Sequence, residues 1–292
     1  MPKSTSQPEI VTPDLLREWQ LPHIPESKYE RGQVVVVGGA RTAPGAAMLS
    51  GTAALRVGAG RLTLAVAASV APQVAVAIPE SGVQWLDETP EGHVSGVGVD
   101  GARAELERAD AVLIGPGLDD ADEAVALLER LPELLADDAI VVLDAYALGV
   151  LPRVPAAVEA LAGRLILTPN KEEAARLLDR ELDDLAADLA EVAATFAAVV
   201  TCYGFVCAPD GRVWQIGTGA GGLGTSGSGD VLAGAIAGLA ARGAEASQAA
   251  VWGTHLHASA GDRLAARIAP IGYLASELLL ELPGLLAETG RQ

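Results

Sequence analysis

The sequence is poor in cysteine, in aromatic residues and in positive charge. Cys202 and Cys207 are its two cysteines in 292 residues, so no disulfide framework staples the chain. Their spacing is not that of a C-x-x-C pair, and small apolar roles inside the fold are expected of both. Aromatic residues make up 3%, and Trp214, Trp252 and Tyr203 are expected in the core rather than as stacking platforms. Lysine occurs three times, as Lys3, Lys28 and Lys171. The 20 basic residues face 38 acidic ones, a net charge of −18. That balance argues against a nucleic-acid partner, which needs a basic face to release counterions, and against attachment to anionic lipid. No apolar run approaches the ~20 residues of a membrane span. The opening MPKSTSQPEI has no apolar core after Lys3, so it does not read as a secretory signal. These absences lead to the expectation of a soluble, cytoplasmic protein.

What is present is aliphatic and glycine-rich: half of the chain is hydrophobic and 33 residues are glycine. The length suits one large α/β domain or two small ones. The first 30 residues are polar and carry Pro2, Pro8, Pro13, Pro22 and Pro25. They read as an N-terminal arm over 1–27, with a short helix near Asp14–Trp19, ahead of a single domain over 28–292. From Gln33 the pattern changes. The runs VVVV (34–37), AVLI (111–114), IVVL (140–143) and LIL (165–167) are short, apolar and unalternating, the mark of strands buried on both faces. LTLAV at 62–66 and AVV at 198–200 continue the series, and FVCA (205–208) is expected to pair with VWQI (213–216) through the Pro209-Asp210-Gly211 turn. Helical stretches fall between them, at about 44–58, 120–135, 170–178 and 184–197, and three more close the chain near 230–242, 246–268 and 275–288. Strands alternating with helices imply a mostly parallel central sheet with helices on both faces, a three-layer α/β fold.

Four segments can carry chemistry. The first is Gly217–Asp230, GTGAGGLGTSGSGD, running straight into the helix-forming VLAGAIAGLAARG. Its backbone N–H groups can turn toward an anion, and a helix N-terminus adds partial positive charge. Asp230 would repel a phosphate held there, but fits if it removes a proton from a hydroxyl lying beside that phosphate. The plainer reading is that Asp230 caps the helix. The second segment is Thr168-Pro169-Asn170-Lys171-Glu172-Glu173, directly after a strand, where ligands of open α/β sheets sit. Asn170 and Glu173 are one helical turn apart and can face one water or Mg²⁺ shell, or simply begin a helix. The third and fourth, Ile114-Gly115-Pro116-Gly117-Leu118 and Pro44-Gly45-Ala46-Ala47, allow a ligand close to backbone or serve as a turn and a helix start. There is no GxxxxGK[ST] loop and no G-x-S-x-G elbow. Gly217, Gly219 and Gly222 satisfy GxGxxG, but the helix begins too late and the ribose-binding acid is missing. His255 and His257, two apart on a helix, do not chelate together and are expected to pack.

Taken in order, Gly38-Gly39-Ala40, Pro44-Gly45-Ala46-Ala47, AALRVGAG (53–60), IGPGL (114–118), LDAYAL (143–148), LTPN (167–170) and SGSGDVLAG (226–234) resemble the ADP-dependent NAD(P)H-hydrate dehydratases, members of the ribokinase-like superfamily. The GSGD loop marks the superfamily, whereas PGAA, AALRVGAG and IGPGL point to the dehydratase branch. The resemblance spans about Lys28 to Leu286. It implies repair of the (6S) hydrate of NADH or NADPH: ADP and Mg²⁺ serve to phosphorylate the ring hydroxyl, and loss of phosphate returns NAD(P)H, with AMP as coproduct. By the same resemblance Asp230 is the catalytic base and contacts the hydrated ring, and Ala46, Gly117 and Asn170 line the hydrate pocket. Gly227, Ser228, Gly229, Thr201 and Gly204 hold the nucleotide; the metal candidate, Glu173 acting through water, comes instead from its one-turn spacing to Asn170. The resemblance further implies a homo-oligomer, such as the tetramers of relatives, and an NAD(P)H-hydrate epimerase on a separate chain, for which the arm has no room.

Two departures stand out. Asn170 occupies the place of a family histidine, so it can hydrogen-bond but cannot titrate, and the resulting N-x-x-E pattern is that of ribokinase-like vitamin and sugar kinases. The nucleotide segment KGxxT falls on Val200-Thr201-Cys202-Tyr203-Gly204 and lacks its lysine and the following glycine. Lys171 is the one candidate substitute. A small-molecule kinase of the same fold and a non-catalytic nucleotide-binding relative are therefore the competing readings.

Overall fold

In the computed structural model the described residues are 7–23, 25–219 and 221–290. The first six residues of the expected arm, Ile24 and Ala220 of the glycine-rich loop lie outside them. Among the described residues ten strands form one sheet: β1 (Glu9–Val11), β2 (Gln33–Val37), β3 (Arg61–Ala67), β4 (Gly82–Leu86), β5 (Ala111–Ile114), β6 (Ile140–Leu143), β7 (Leu165–Leu167), β8 (Ala198–Cys202), β9 (Phe205–Cys207) and β10 (Val213–Ile216). Their spatial order is β1-β10-β9-β8-β7-β6-β5-β2-β3-β4. All neighbours are parallel except β8 with β9 and β9 with β10, which make the hairpins expected of short connections.

The expected strands form because their side chains are buried on both faces. Val34 and Val36 join one core and Val35 and Val37 the other, as period-two alternation requires. The first core is covered by helices Pro44–Arg56, Ser228–Ala241, Ala246–Arg267 and Ala275–Gly290, and the second by Ala121–Arg130, Lys171–Leu178 and Leu185–Thr195. The result is the expected three-layer α/β architecture. Small residues set its spacing. A Cβ on Gly234 would lie 2.0 Å from the Ser50 carbonyl oxygen, and one on Gly238 2.6 Å from that of Ala54. Glycine thus lets the 228–241 helix rest directly on the 44–56 helix, which fixes the two elements that begin at the glycine-rich loop and at Pro44-Gly45-Ala46.

The segment expected as an arm is drawn into this architecture. β1 extends the sheet beside β10. Thr12 caps the helix Pro13–Glu18, its hydroxyl accepting from Leu15 N at 3.2 Å, and Leu16 and Leu21 are buried in the first core. The Trp19 carbonyl accepts the indole N–H of Trp252 at 3.0 Å, and its ring stacks on Trp214 at 5.6 Å. A few apolar side chains among prolines and charges suffice because they join a core built from residues far along the chain. Residues 71–77 and 82–86, without an element in the sequence reading, form a helix and the edge strand β4. The burial of β4 is mixed, so its sequence lacks the solid apolar run of the central strands.

Candidate active site

The parallel strands deliver their loops to one edge of the sheet, the carboxyl edge at which open α/β folds bind ligands. The loops after β2 and β5 are stitched together: Gly39 N donates to Pro116 O at 2.8 Å, and Ala40 N to Gly117 O at 2.9 Å. Gly117 thereby lies against the segment that leads into the helix bearing Ala46, and both residues are half-buried. A Cβ on Gly115 would lie 1.8 Å from the Asp144 carbonyl oxygen, so the same loop also packs on the end of β6.

The glycine-rich segment reaches this edge from β10. Gly219 N donates to Asp262 Oδ2 at 3.0 Å, and a turn of 3-10 helix covers Gly221–Leu223. The helix that follows begins at Ser228, with Gly227 at the N-cap in left-handed conformation, φ +86°. No side chain caps this end, so the simpler role for Asp230, that of a helix cap, does not hold. Asp230 stands in the first turn, half-buried, and burial pushes its carboxyl up to about 6. The N–H groups of a first helical turn have no carbonyl one turn back, and those of Gly229 and Asp230 are such groups, with Gly229 exposed. An open N–H cradle and a carboxyl titrating near neutrality therefore share one helix turn, a pairing suited to proton removal beside a bound anion.

Three expected nucleotide residues make hydrogen bonds within the protein. The Ser228 hydroxyl lies 2.9 Å from His257 Nε2, both side chains buried, and its N–H donates to Thr225 O. Thr201 is buried with its hydroxyl 2.8 Å from that of Thr254. The Gly204 carbonyl accepts from Ile216 N at 2.7 Å. These bonds engage the two hydroxyls and the Gly204 carbonyl within the protein and tie the edge together. Asn170 and Glu173 form a reciprocal capping box: Asn170 Oδ1 accepts from Glu173 N at 2.9 Å, and Glu173 Oε2 from Asn170 N at 2.8 Å. The plain helix-start reading is thus realised, while the Asn170 amide NH₂ and the second Glu173 oxygen remain for a ligand. Burial raises the Glu173 carboxyl above its ordinary value, against the Asn170 hydrogen bond.

Sequence reasoning missed Asp144. It follows β6 directly, is buried, and accepts from Thr168 Oγ1 at 2.8 Å. Burial pushes its carboxyl up to about 7; the Thr168 bond opposes this, and repulsion from Asp230 and Glu173 adds to it. The signal was an acid immediately after a wholly apolar strand. Tyr203 corrects another expectation: Trp214 and Trp252 are in the core, but Tyr203 is 70% exposed. Above its ring, 4.7 Å from the centroid, lies Lys171 Nζ. His255 and His257 are buried as expected, and burial pushes His257 down to about 4, leaving it a neutral hydrogen-bonding group. Among the described residues no group of three or more His, Cys, Asp or Glu forms a metal cage. A cavity of about 470 Å³ lies at the other end of β3 and β4, lined by residues that include Arg61, Thr63 and Glu105, and plays no part in this geometry.

The family model for NAD(P)H-hydrate dehydratase matches residues 34–283. The chain belongs to that family. It is 44% identical over 288 residues to the ADP-dependent (S)-NAD(P)H-hydrate dehydratase of Xanthomonas campestris, covering 94% of this chain and 95% of the relative. It spans about half the length of the bifunctional NAD(P)H-hydrate repair enzymes that it also matches. Its fold superposes on the ADP/ATP-dependent NAD(P)H-hydrate dehydratase of Bacillus subtilis, co-crystallised with ATP and Mg²⁺, with a TM-score of 0.76, 25% identity and coverage of 97% and 100%. A ribokinase-like superfamily protein from Enterococcus faecalis superposes with a TM-score of 0.77 at 22% identity, over 97% of each chain. The fold is ribokinase-like, as the glycine-rich loop and the strand order imply.

Proposed function

We propose that this chain is an ADP-dependent NAD(P)H-hydrate dehydratase, a carbon–oxygen lyase of nicotinamide-cofactor repair. The observation that carries the reading is Asp230, uncapped and half-buried in the first turn of a glycine-initiated helix, with its carboxyl pushed up to about 6. Hydroxide is a poor leaving group and phosphate a better one. Asp230 takes the proton of the ring hydroxyl as that oxygen attacks the terminal phosphorus of ADP, and AMP departs. Loss of phosphate and of a ring proton then restores the dihydronicotinamide. In this reading the backbone of Gly227 and Gly229 faces the diphosphate. Ser228, Thr201 and Gly204 hold that wall in place, and Ala46, Gly117 and the Asn170 amide line the hydrate side.

Mg²⁺ fits the residues present. Asp144 and Glu173 offer hard carboxylate oxygens, and a cation beside the buried Asp144 would relieve its raised pKa. Mg²⁺ keeps several waters and takes phosphate oxygens, so it needs no complete protein cage. It would neutralise charge on the diphosphate. The same reading includes a cytoplasmic homo-oligomer, a tetramer, with hydrate epimerisation carried out by a separate chain.

Purified protein given (6S)-NADH or (6S)-NADPH hydrate, Mg²⁺ and either ADP or ATP tests this. The expected result is return of dihydronicotinamide absorbance with ADP, with AMP and phosphate released in equal amounts. The Asn170–Glu173 pair supports the kinase alternative, which predicts no hydrate turnover and ATP-dependent phosphorylation of a vitamin precursor or sugar alcohol instead.

A further inference from the structure

The turn between β8 and β9 is made of two residues, Tyr203 and Gly204, with φ of +47° and +82°. Two-residue hairpins with both residues at positive φ favour Asn-Gly or Asp-Gly, because a bulky side chain is strained there. Tyrosine at the first position runs against turn chemistry, and its ring is not repaid by burial, being 70% exposed. Strain of this kind, held in place by surrounding structure, gathers at ligand-binding positions. The Tyr203 ring carries Lys171, with Nζ 4.7 Å from its centroid. Lys171 is the first residue of the helix that Asn170 and Glu173 cap, and it is exposed.

The surroundings give this pair its meaning. The Gly204 carbonyl is bonded to Ile216 N, the last residue of β10, from which the glycine-rich segment departs toward Asp230. Glu173, two residues along the helix from Lys171, repels the Asp144 carboxyl, as Asp230 does. Lys171 and Glu173 both act on the Cys202 thiol, beside Tyr203. The ammonium therefore stands over a turn at the carboxyl edge of the sheet, two residues along the chain from Glu173, and that turn is bonded to the strand end from which the glycine-rich segment departs. In a chain with three lysines and a net charge of −18, a diphosphate approaching this edge needs such a charge.

We propose that Lys171 and Tyr203 form a clamp for a nucleoside diphosphate. The ammonium pairs with the diphosphate. The Tyr203 face orients the ammonium by cation–π attraction. The proposal rests on the ADP-dependent reading above. The clamp is a shared product of two segments some thirty residues apart.

The test is calorimetric titration of the intact protein with ADP, AMP and adenosine, alongside hydrate turnover with ADP. Lys171→Met is expected to weaken ADP by about tenfold, in keeping with loss of one charge-assisted contact, to weaken AMP less and to leave adenosine unchanged. Lys171→Arg restores most of the ADP affinity, and Tyr203→Phe keeps it while Tyr203→Ala does not. Thermal unfolding of each variant separates a folding defect from a binding one: an unchanged midpoint with weakened ADP supports the clamp. Wild-type turnover with ADP combined with unaltered ADP affinity in folded Lys171→Met overturns the clamp alone. A wild-type protein that binds no nucleotide overturns the clamp together with the reading it rests on.

Discussion

The Ser228 hydroxyl lies 2.9 Å from Nε2 of His257, a contact between two buried side chains that ties the start of the 228–241 helix to the middle of the 246–267 helix. Removing one partner leaves the other buried and unsatisfied, at a cost of about 1–3 kcal/mol. Ser228→Ala is therefore expected to lose stability in that range by urea unfolding. Because the bond seats the glycine-rich turn, the KM for ADP should also rise more than kcat falls.

His257 further predicts an acid limb. Its folded pKa, about 4, lies below the ordinary imidazole value of 6.5, so the unfolded chain binds the proton first and stability falls as pH drops through that window. His257→Gln removes the titration. The variant's midpoint should change less than that of the wild type between pH 6.5 and 4, as thermal scans across that range would record.

Asp144 acts in the opposite direction. Its carboxyl is raised from 3.8 to about 7, so the folded state holds the proton longer and stability falls as pH rises through that interval. Asp144→Asn abolishes the penalty and can still accept from Thr168. Relative to wild type, this variant should gain stability from pH 5 to 8 while losing Mg²⁺-dependent activity. A constant difference in midpoint across pH would remove the argument for a protonated Asp144.

Helix contact makes a further prediction. Gly234→Ala would place a methyl group about where the Ser50 carbonyl oxygen stands, a separation of 2.0 Å, and overpacking of this kind costs about 1–3 kcal/mol. Gly149→Ala, with nothing within 4 Å of the added atom, should be close to neutral. Chemical unfolding of the two variants separates close approach from a general glycine effect.

The parts of the fold that could be read from sequence are those in which one physical demand dominates. VVVV, AVLI, IVVL and LIL are continuous apolar runs because both faces of β2, β5, β6 and β7 are covered. β1 and β4 sit at the sheet edges, where burial is partial and the pattern dissolves. In the site, GSGD was conspicuous because glycine and acid conflict locally. Asp144 was not, since an acid after a strand is ordinary until its burial and its neighbours Asp230 and Glu173 are known. Tyr203 was expected inside because aromatic residues usually are; its exposure follows from a turn whose strain sequence alone does not reveal. The Ser228–His257 and Thr201–Thr254 bonds join residues 29 and 53 apart, separations at which local pattern carries no information.

Asp230 is the centre of the account, and the pH dependence of hydrate turnover by wild type and Asp230→Asn tests it most directly. With its carboxyl pushed up to about 6 and required as a base, wild-type kcat/KM should fall as pH drops below that value. Asp230→Asn should lose about 10²–10⁴-fold in kcat, the usual contribution of a general base, together with the acid limb, while still binding ADP. Full turnover by folded Asp230→Asn, with the acid limb intact, would contradict it.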